Sequence, residues 1–320
     1  MRFQALGDTI ITLPYLQSLK NQYPDTRLHL LTRKEVSSIP ESLELFEKVI
    51  AIGGGRNAKI QFVLALLQLP KLWWYNYDAV LDLQNHKISN VIRFLLFPKA
   101  WSEFDKYSAY PAGERTRKTI EALGLKNISI NSSFQFRKEI HVDQLLLENG
   151  WDGISQLVIL NPAGNFPSRN WPIENYVQFA RLWIGNLSQP VQFVLMLMSQ
   201  HQDKANRMKQ ELRNYCIDLS GKTTTIEAFS IIKKSNLVLS EDSGLMHMAW
   251  VQGIPTLALF GSTNKDWSAP LGEFSICLDS SDLECGPCML KDCKYGNNHC
   301  LERYSPDFIF TEAKSLLNLN

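Results

Sequence analysis

Three segments of the sequence place small polar and charged side chains directly after a short apolar run. The first contains Gly7 and Asp8, the second occupies residues 161–172, and the third begins at Glu241. Carboxylates can accept protons during a reaction, and a guanidinium group or the amide groups that open a helix can bind phosphate oxygens. These residue types make the three segments candidates for a site that binds phosphate and moves protons.

In the first segment, Asp8 follows an apolar run and a glycine, and a helical pattern begins after it. Gly7 would allow an unusual φ or a close approach of the backbone, and Asp8 would then lie at the carboxyl end of a strand, facing a cleft. Aspartate is also a preferred N-cap, and the local pattern favours this second interpretation. Only six residues precede Gly7, so the first strand is expected to be very short unless the domain starts upstream.

The second segment is a loop that follows an apolar strand. It combines Gly164, Asn165 and Ser168 with a single cation, Arg169, and Pro172 suits the first turn of the next helix. The planar fork of donors on an arginine fits phosphate oxygens well. The composition fits equally well a proline-rich loop with a solvent-facing arginine, so both interpretations stay open.

In the third segment, Asp242, Ser243 and Gly244 turn the chain between an apolar strand and a helix. The free amide groups and the positive end of that helix would suit a pyrophosphate. His247 lies four residues after Ser243 and therefore on the same helix face, where it could donate to a phosphate or a sugar hydroxyl. A single histidine on a helix is more often a satisfied core residue, but its position one turn after the glycine favours a function.

Four of the six cysteines, together with His299, lie within sixteen residues near the carboxyl end of the chain. A Cys-x-x-Cys pair followed by further Cys and His residues is typical of a metal knuckle, although the spacing fits no standard zinc finger. Reduced thiols that pack a compact loop and a redox-labile pair are the alternatives, and no metal is assigned to the catalytic site. The four cysteines are Cys285, Cys288, Cys293 and Cys300.

Short β-branched or leucine-rich runs alternate along the chain with amphipathic segments of helical length. This order predicts an α/β fold with parallel sheets that helices cover on both faces. The segment 127–150 is rich in Asn and Ser and then charged, so it predicts a linker between two doubly wound halves, 1–150 and 151–320, that face each other across a cleft. The predicted strands are 27–32, 49–52, 78–84, 156–161, 191–198, 217–220, 236–240, 255–260 and 274–278, and the predicted helices are 14–22, 60–72, 87–97, 114–123, 174–187, 202–214, 225–235 and 244–252.

The composition is that of an ordinary globular protein, with 45% hydrophobic and 20% charged residues. Because 33 lysines and arginines balance 32 acidic residues, no global basic field favours nucleic acid. No apolar run approaches the roughly 18 to 20 residues of a membrane span, and the first residues lack the pattern of a secretory signal. The sequence therefore predicts a cytoplasmic protein.

Taken together and in order, the motifs resemble those of the ADP-heptose:lipopolysaccharide heptosyltransferases, glycosyltransferase family nine, over nearly the whole chain. The resemblance rests on Leu-Gly-Asp-x5-Pro at 6–14, Asn-Pro-Ala-Gly-x2-Pro-Ser-Arg-x-Trp-Pro at 161–172, Glu-Asp-Ser-Gly-Leu-Met-His at 241–247 and Gly-x-Pro-x3-Leu-Phe-Gly-x-Thr at 253–263. Many similar proteins also carry a carboxyl-terminal Cys-x-x-Cys cluster. This sequence differs at Glu241, where many members have a neutral or smaller residue.

The resemblance implies a GT-B fold of two Rossmann-like domains, with the donor held by the second. It implies an inverting enzyme that needs no metal or cofactor and transfers heptose from an ADP-sugar donor to a lipid-linked core oligosaccharide of lipopolysaccharide, in peripheral contact with the cytoplasmic face of the inner membrane. Asp8 is then the expected general base, in place of the cap that the local pattern favours, and Arg169 faces the diphosphate. The other implied donor contacts are Gly164 and Asn165 in the loop, Asp242 at sugar or ribose hydroxyls, and Ser243, Gly244, Leu245 and His247 around the pyrophosphate.

Two further clusters have open interpretations. The basic residues Arg115, Arg117 and Lys118 could meet acceptor phosphates or form a solvated charged face. The run Trp73-Trp74-Tyr75 could rest on a membrane interface or simply cap the N-terminal domain, and core packing is the default expectation. For the function, the alternatives are a GT-B enzyme with another sugar donor, an epimerase, and a non-catalytic module that binds a nucleotide-sugar.

Overall fold

The computed structural model describes residues 1–55, 57–164 and 166–319, and the chain divides into two compact units, Met1–Lys138 and Glu139–Asn320. The sequence placed this division after residue 150. Residues 139–150 belong to the second unit because they bond to it: Asp143 pairs with Lys234 at 2.8 Å, and the Gly150 carbonyl accepts a hydrogen bond from Gln192 at 2.8 Å.

The first unit contains two parallel strand pairs, β1 with β2 and β3 with β4. The sequence did not predict β4, which is short and has a single buried residue, Ser102. The strands are β1 His29–Arg33, β2 Lys48–Ile52, β3 Ala79–Asp82 and β4 Ala100–Glu103, and the helices are α1 Leu6–Gln22, α2 Ser38–Ser42, α3 Ala58–Leu66, α4 Leu69–Trp74, α5 Lys87–Leu95 and α6 Ala112–Glu121, with a 3-10 turn at Lys34–Val36.

Residues 1–3 connect the two strand pairs by hydrogen bonds without forming a regular strand. The Arg2 amide donates to the Leu31 carbonyl of β1 at 3.1 Å, and the Met1 amino group donates to the Leu81 carbonyl of β3 at 2.6 Å. A cavity of about 530 Å³, lined by Met1 and by residues of α1, β1 and β3, lies beside this segment. The short first strand that the sequence predicted is therefore not observed: the described residues before α1, which begins at Leu6, form no regular strand.

The second unit is built on a six-stranded parallel sheet in the order β10-β9-β8-β5-β6-β7. The chain builds one half of the sheet outward from β5, returns to the other side of β5, and builds the second half from β8. This is the Rossmann strand order, and it places the topological switch point, where such sheets bind ligands, between the carboxyl ends of β5 and β8. The strands are β5 Gln156–Asn161, β6 Val191–Leu195, β7 Cys216–Asp218, β8 Leu237–Glu241, β9 Thr256–Leu259 and β10 Ser275–Leu278.

Helices on this sheet leave its central strands buried along almost their whole length, which explains why these strands are continuous apolar runs in the sequence. No helix in the described residues is both long enough and apolar enough to cross a bilayer. The helices are α7 Asp143–Glu148, α8 Ile173–Asn186, α9 Gln202–Leu212, α10 Thr225–Lys234, α11 Gly244–Trp250, α12 Lys265–Ser268, α13 His299–Glu302 and α14 Pro306–Leu316, with 3-10 turns at Pro167–Arg169, Ser199–His201 and Arg213–Tyr215.

Candidate active site

At the switch point of the second unit, side chains at the ends of the two central strands, β5 and β8, form hydrogen bonds with each other. The side-chain amide Nδ2 of Asn161, the last residue of β5, donates to Ser240 Oγ at 2.9 Å and to Ser243 Oγ at 2.8 Å. Ser243 Oγ in turn accepts the Met246 amide at 3.2 Å and so caps α11. The loop after β5 and the turn after β8 therefore start from a fixed common point.

We call residues 162–171 the β5 loop; Asn165, a predicted donor contact, lies outside the described residues. Both ends of the loop bind the carboxyl group of Glu241, which is completely buried. One oxygen accepts the Gly164 amide at 2.5 Å, and the other accepts the Trp171 amide at 2.6 Å. Glu241 is thus no additional anion facing a ligand, but the group that ties the β5 loop to β8.

Burial dominates the electrostatics of Glu241 and raises its pKa to about 8. The Gly164 and Trp171 amides, the Lys204 ammonium and the Tyr176 hydroxyl oppose this shift. Lys204 also supports the loop directly, because its ammonium group donates to the Pro162 carbonyl at 2.9 Å and to the Asn170 side chain at 2.7 Å. Sequence reasoning missed both Glu241 and Lys204 as supports of the loop, since a charge on a strand end or a helix does not reveal its tertiary partner.

Gly164 is required by close packing rather than by an unusual φ. A Cβ atom at this position would lie 2.7 Å from the Arg169 carbonyl oxygen and 2.9 Å from the Glu241 carboxyl group. The far side of the loop is equally close to Gly261, where a Cβ atom would lie 2.5 Å from the Ser168 carbonyl oxygen. Two glycines of the family motifs therefore allow the loop to pack between them.

Arg169 and Asp242, which the resemblance assigns to different parts of the donor, contact each other. Arg169 Nη1 lies 3.2 Å from Asp242 Oδ2, and both side chains are largely buried. The guanidinium group also lies 4.9 Å from the centre of the Phe166 ring. Its Nε–H is buried, and no group in the described part of the chain accepts it. Beside its ion pair, Arg169 therefore has one buried N–H without an acceptor among the described residues.

The residues at the start of α11 differ in what they can offer. Gly244 is the first helical residue and has open space where a Cβ would be, and Leu245 is half-buried. His247 is buried, and its Nδ1 accepts a hydrogen bond from the Trp250 indole at 3.1 Å. This bond places the proton of the neutral ring on Nε2, which makes Nε2 a donor.

In the first unit, Asp8 lies in the first turn of α1, and the N-cap is Ala5. The local prediction of an N-cap at Asp8 is wrong by three residues, because the carboxylate reaches back and accepts the Ala5 amide at 2.8 Å. Gly7 is inside the helix and forms no turn before it. The other carboxylate oxygen lies 3.0 Å from Arg2 Nη2, and 40% of the Asp8 side chain is exposed.

Two buried guanidinium groups, those of Arg2 and Arg115, lie near Asp8. They lie 5.1 Å and 4.8 Å from the centre of the Phe104 ring. Burial lowers the pKa of both arginines; the charge of Asp8 opposes the shift in each, and that of Arg2 adds to the shift of Arg115. An anionic group next to Asp8 would therefore meet two cations that are partly removed from water.

The residues of the predicted basic cluster at 115–118 lie in different surroundings. Arg115 is buried near Asp8, whereas Arg117 forms ion pairs with Glu114 and Glu121 on its own helix. Lys118 lies 3.3 Å from the centre of the Tyr110 ring. Sequence reasoning missed Arg2 altogether, although a charged residue among the first apolar residues of a predicted strand was a usable signal.

The four clustered cysteines line a small cavity of about 30 Å³ together with Ser168, Ser262 and Ser280. All four are free thiols, and no three His, Cys, Asp or Glu side chains in the described residues are arranged to hold a metal ion. The same segment supports the β5 loop. Ser168 donates through its amide to the Lys291 carbonyl at 3.2 Å and through its hydroxyl to the Leu290 carbonyl at 2.5 Å.

Replacing Gly164 tests the packing of the β5 loop. We expect Gly164→Ala to reduce the free energy of unfolding by about 1–3 kcal/mol, because the new methyl group overlaps the Arg169 carbonyl and the Glu241 carboxyl. Gly185→Ala, on α8, is the matched control; its Cβ would meet no atom within 4 Å, so the change is neutral or stabilising. Urea unfolding of both variants is the measurement, and equal effects would contradict the packing account.

The ionisation of Glu241 predicts a pH dependence of stability. Its folded-state pKa of about 8 lies above its ordinary value of 4.5, so the folded chain binds the additional proton between these values. The free energy of unfolding should therefore fall as the pH rises from about 5 to about 8, by at most about 1.4 kcal/mol per pH unit. Glu241→Gln cannot ionise and should lack this component of the slope. If the free energy of unfolding of the wild type and of the variant changed with pH in parallel, the assignment of this slope to Glu241 would be contradicted.

Comparisons with known proteins agree with this architecture. The sequence matches the profile of glycosyltransferase family 9 (heptosyltransferase) across residues 69–299. It is 25% identical to lipooligosaccharide heptosyltransferase 2 of Campylobacter jejuni, over 98% of this chain and 95% of that protein. The structure resembles a family 9 glycosyltransferase of Veillonella parvula with a TM-score of 0.78 and 20% identity, covering 100% of this chain and 97% of that one.

It also resembles ADP-heptose lipopolysaccharide heptosyltransferase II of Escherichia coli with a TM-score of 0.74 and 18% identity, covering 99% and 98% of the two chains. These similarities confirm the predicted fold class, an α/β fold of the GT-B type. Because the family profile covers most of the chain, this protein is a glycosyltransferase and belongs to family 9, the heptosyltransferases.

Proposed function

We propose that this chain transfers a heptose from ADP-heptose to a lipid-linked core sugar of lipopolysaccharide, with inversion at the anomeric carbon. Family membership and the names of the similar proteins support the sugar, the donor and the acceptor class. The observation that carries the proposal is the position of Arg169, which the β5 loop holds at the switch point of the second sheet with a buried N–H that no described group accepts.

The donor belongs to the second unit in this proposal. Arg169 exchanges part of its contact with Asp242 for the diphosphate and stabilises the negative charge that develops on departing ADP, so the reaction uses no metal ion. Asp242 then accepts hydrogen bonds from sugar or ribose hydroxyls. The remaining donor contacts are the loop residues Gly164 and Asn165, the backbone of Ser243, Gly244 and Leu245, and the Nε2–H of His247.

The acceptor belongs to the first unit, with Asp8 as the general base. An acceptor hydroxyl attacks the anomeric carbon, its proton passes to the Asp8 carboxylate, and the bond between that carbon and the ADP oxygen breaks. A single displacement of this kind inverts the anomeric configuration. Arg2 and the Ala5 amide occupy one site on each carboxylate oxygen, and because a carboxylate has about four lone-pair sites, the exposed side can still accept a hydroxyl proton.

A lipid-linked acceptor would place the enzyme at a membrane. We therefore propose that the chain works in peripheral contact with the cytoplasmic face of the inner membrane. Either of the cations near Asp8, Arg2 or Arg115, is suited to phosphate groups on the acceptor, because both are partly desolvated.

Replacing Asp8 tests the assignment of the base. Asp8→Asn keeps the shape of the side chain but cannot take a proton, so we expect kcat to fall by about 10²–10⁴ while ADP-heptose binding changes less than about threefold. Asp25→Asn, at an exposed acid of the same unit, is the control and should keep wild-type activity. Product formation can be followed by mass spectrometry and donor binding by calorimetry. Transfer by Asp8→Asn at a near wild-type rate would remove Asp8 as the base.

A further inference from the structure

The first unit exposes several large apolar side chains on or just after three consecutive helices. Trp74 is 87% exposed, Phe97 is 74% exposed and Phe94 is 72% exposed. The expectation of core packing for the run 73–75 is therefore wrong for Trp74. We call this set the apolar face; its members are Ile60, Val63 and Leu67 on or just after α3, Trp73 and Trp74 on α4, and Val91, Phe94 and Phe97 on or just after α5.

The members of the apolar face lie on neighbouring elements. The inner sides of α3, α4 and α5 share one buried cluster, which includes Ala65, Leu72 and Ile92. On the outer side, the Trp73 indole donates to the Leu95 carbonyl at 2.8 Å and joins α4 to α5. The outward residues recur at helical spacing within α3 and α5, so each helix presents one apolar stripe. Large exposed apolar side chains gathered on neighbouring elements are typical of a binding surface.

The three helices of the apolar face carry basic residues and no acidic ones. Residues 48–77 and 83–102, which include the three helices, contain seven lysines and arginines and no aspartate or glutamate. Flanking acids neutralise two of these cations, since Asp78 pairs with Lys99 and Glu103 pairs with Arg93, each at 2.7 Å. In the described structure the remaining helix lysines form no ion pair, and all are exposed; they are Lys59, Lys71 and Lys87.

A surface with exposed tryptophan and phenylalanine rings and unpaired lysines matches the interface of an anionic lipid bilayer. Aromatic rings are favoured at the level of the headgroups, and lysines are attracted by the negative surface potential. A second copy of the chain is a poorer occupant, because a two-fold contact through this face would bring the same lysines together.

We propose that the apolar face of α3, α4 and α5 docks the first unit onto a membrane that contains anionic lipid. The role of the docking rests on the proposed lipid-linked acceptor, which it would bring to the unit that carries Asp8. The docking itself is a binding event and needs neither donor nor acceptor, so it can be measured independently of transfer.

The test is cosedimentation of the full chain with vesicles of phosphatidylcholine alone and with vesicles that also contain 30% phosphatidylglycerol, on the order of what an anionic leaflet holds. We expect the wild type to bind the anionic vesicles and Trp74→Ser/Phe97→Ser to bind at least about tenfold more weakly, because these rings insert into the interface. Tyr107→Ser/Ile154→Ser removes two other highly exposed apolar side chains and should bind like the wild type. Unchanged thermal unfolding and ADP binding would show that the first double variant is folded.

A second pair of variants tests the contribution of the lysines to membrane binding. Lys59→Glu/Lys71→Glu should weaken binding to the anionic vesicles by about tenfold or more, and added salt should weaken wild-type binding. Lys126→Glu/Lys209→Glu makes the same change in charge at exposed lysines outside the face and should have a much smaller effect.

Three results would overturn the proposal: no binding of the wild type to anionic vesicles, equal binding of wild type and Trp74→Ser/Phe97→Ser, and self-association in sedimentation equilibrium that this variant abolishes while vesicles bind neither protein. The last result would assign the face to a second copy of the chain. Loss of transfer with intact vesicle binding would count against the proposed function alone.

Discussion

The candidate site of the second unit depends on the hydrogen bonds of one buried carboxyl group, that of Glu241. It accepts the amides of Gly164 and Trp171, near opposite ends of the β5 loop, and it lies on the strand that leads directly into Asp242. Without a partner for its two oxygens a buried carboxyl group would be costly, so the loop and the strand end stabilise each other. The position of Arg169 follows from this arrangement, because the loop that carries it has little freedom between Gly164 and Gly261.

The candidate groups of both units are held in ion pairs. Arg169 is paired with Asp242 in one unit, and Asp8 is paired with Arg2 in the other. Each pair keeps a candidate group in place without leaving a lone charge away from water. In each pair one group has unused hydrogen-bonding capacity among the described residues: the buried Nε–H of Arg169 and the exposed side of the Asp8 carboxylate. Each unit therefore holds one candidate group in an ion pair whose hydrogen-bonding capacity is not fully used.

The sequence predicted the strands of the second unit well, because strands buried on both faces must be continuous apolar runs, as in 156–161. It also brought Arg169 and Asp242 to the same sheet edge, since both follow strands of a doubly wound fold. It could not show that Glu241 points inward to the β5 loop or that Arg2 pairs with Asp8, because those contacts join residues distant along the chain or depend on the start of α1. The prediction of core packing was likewise wrong for Trp74, because an aromatic residue on a short helix does not show which side of that helix is buried.

The most direct test of this account is a calorimetric titration of ADP into the wild type and into Glu241→Ala, with both proteins shown to be folded by thermal unfolding. If the buried carboxyl group positions the β5 loop, the wild type binds ADP and the variant binds it at least about tenfold more weakly, because Arg169 is no longer held for the diphosphate. Equal affinity of the two proteins for ADP would contradict the account.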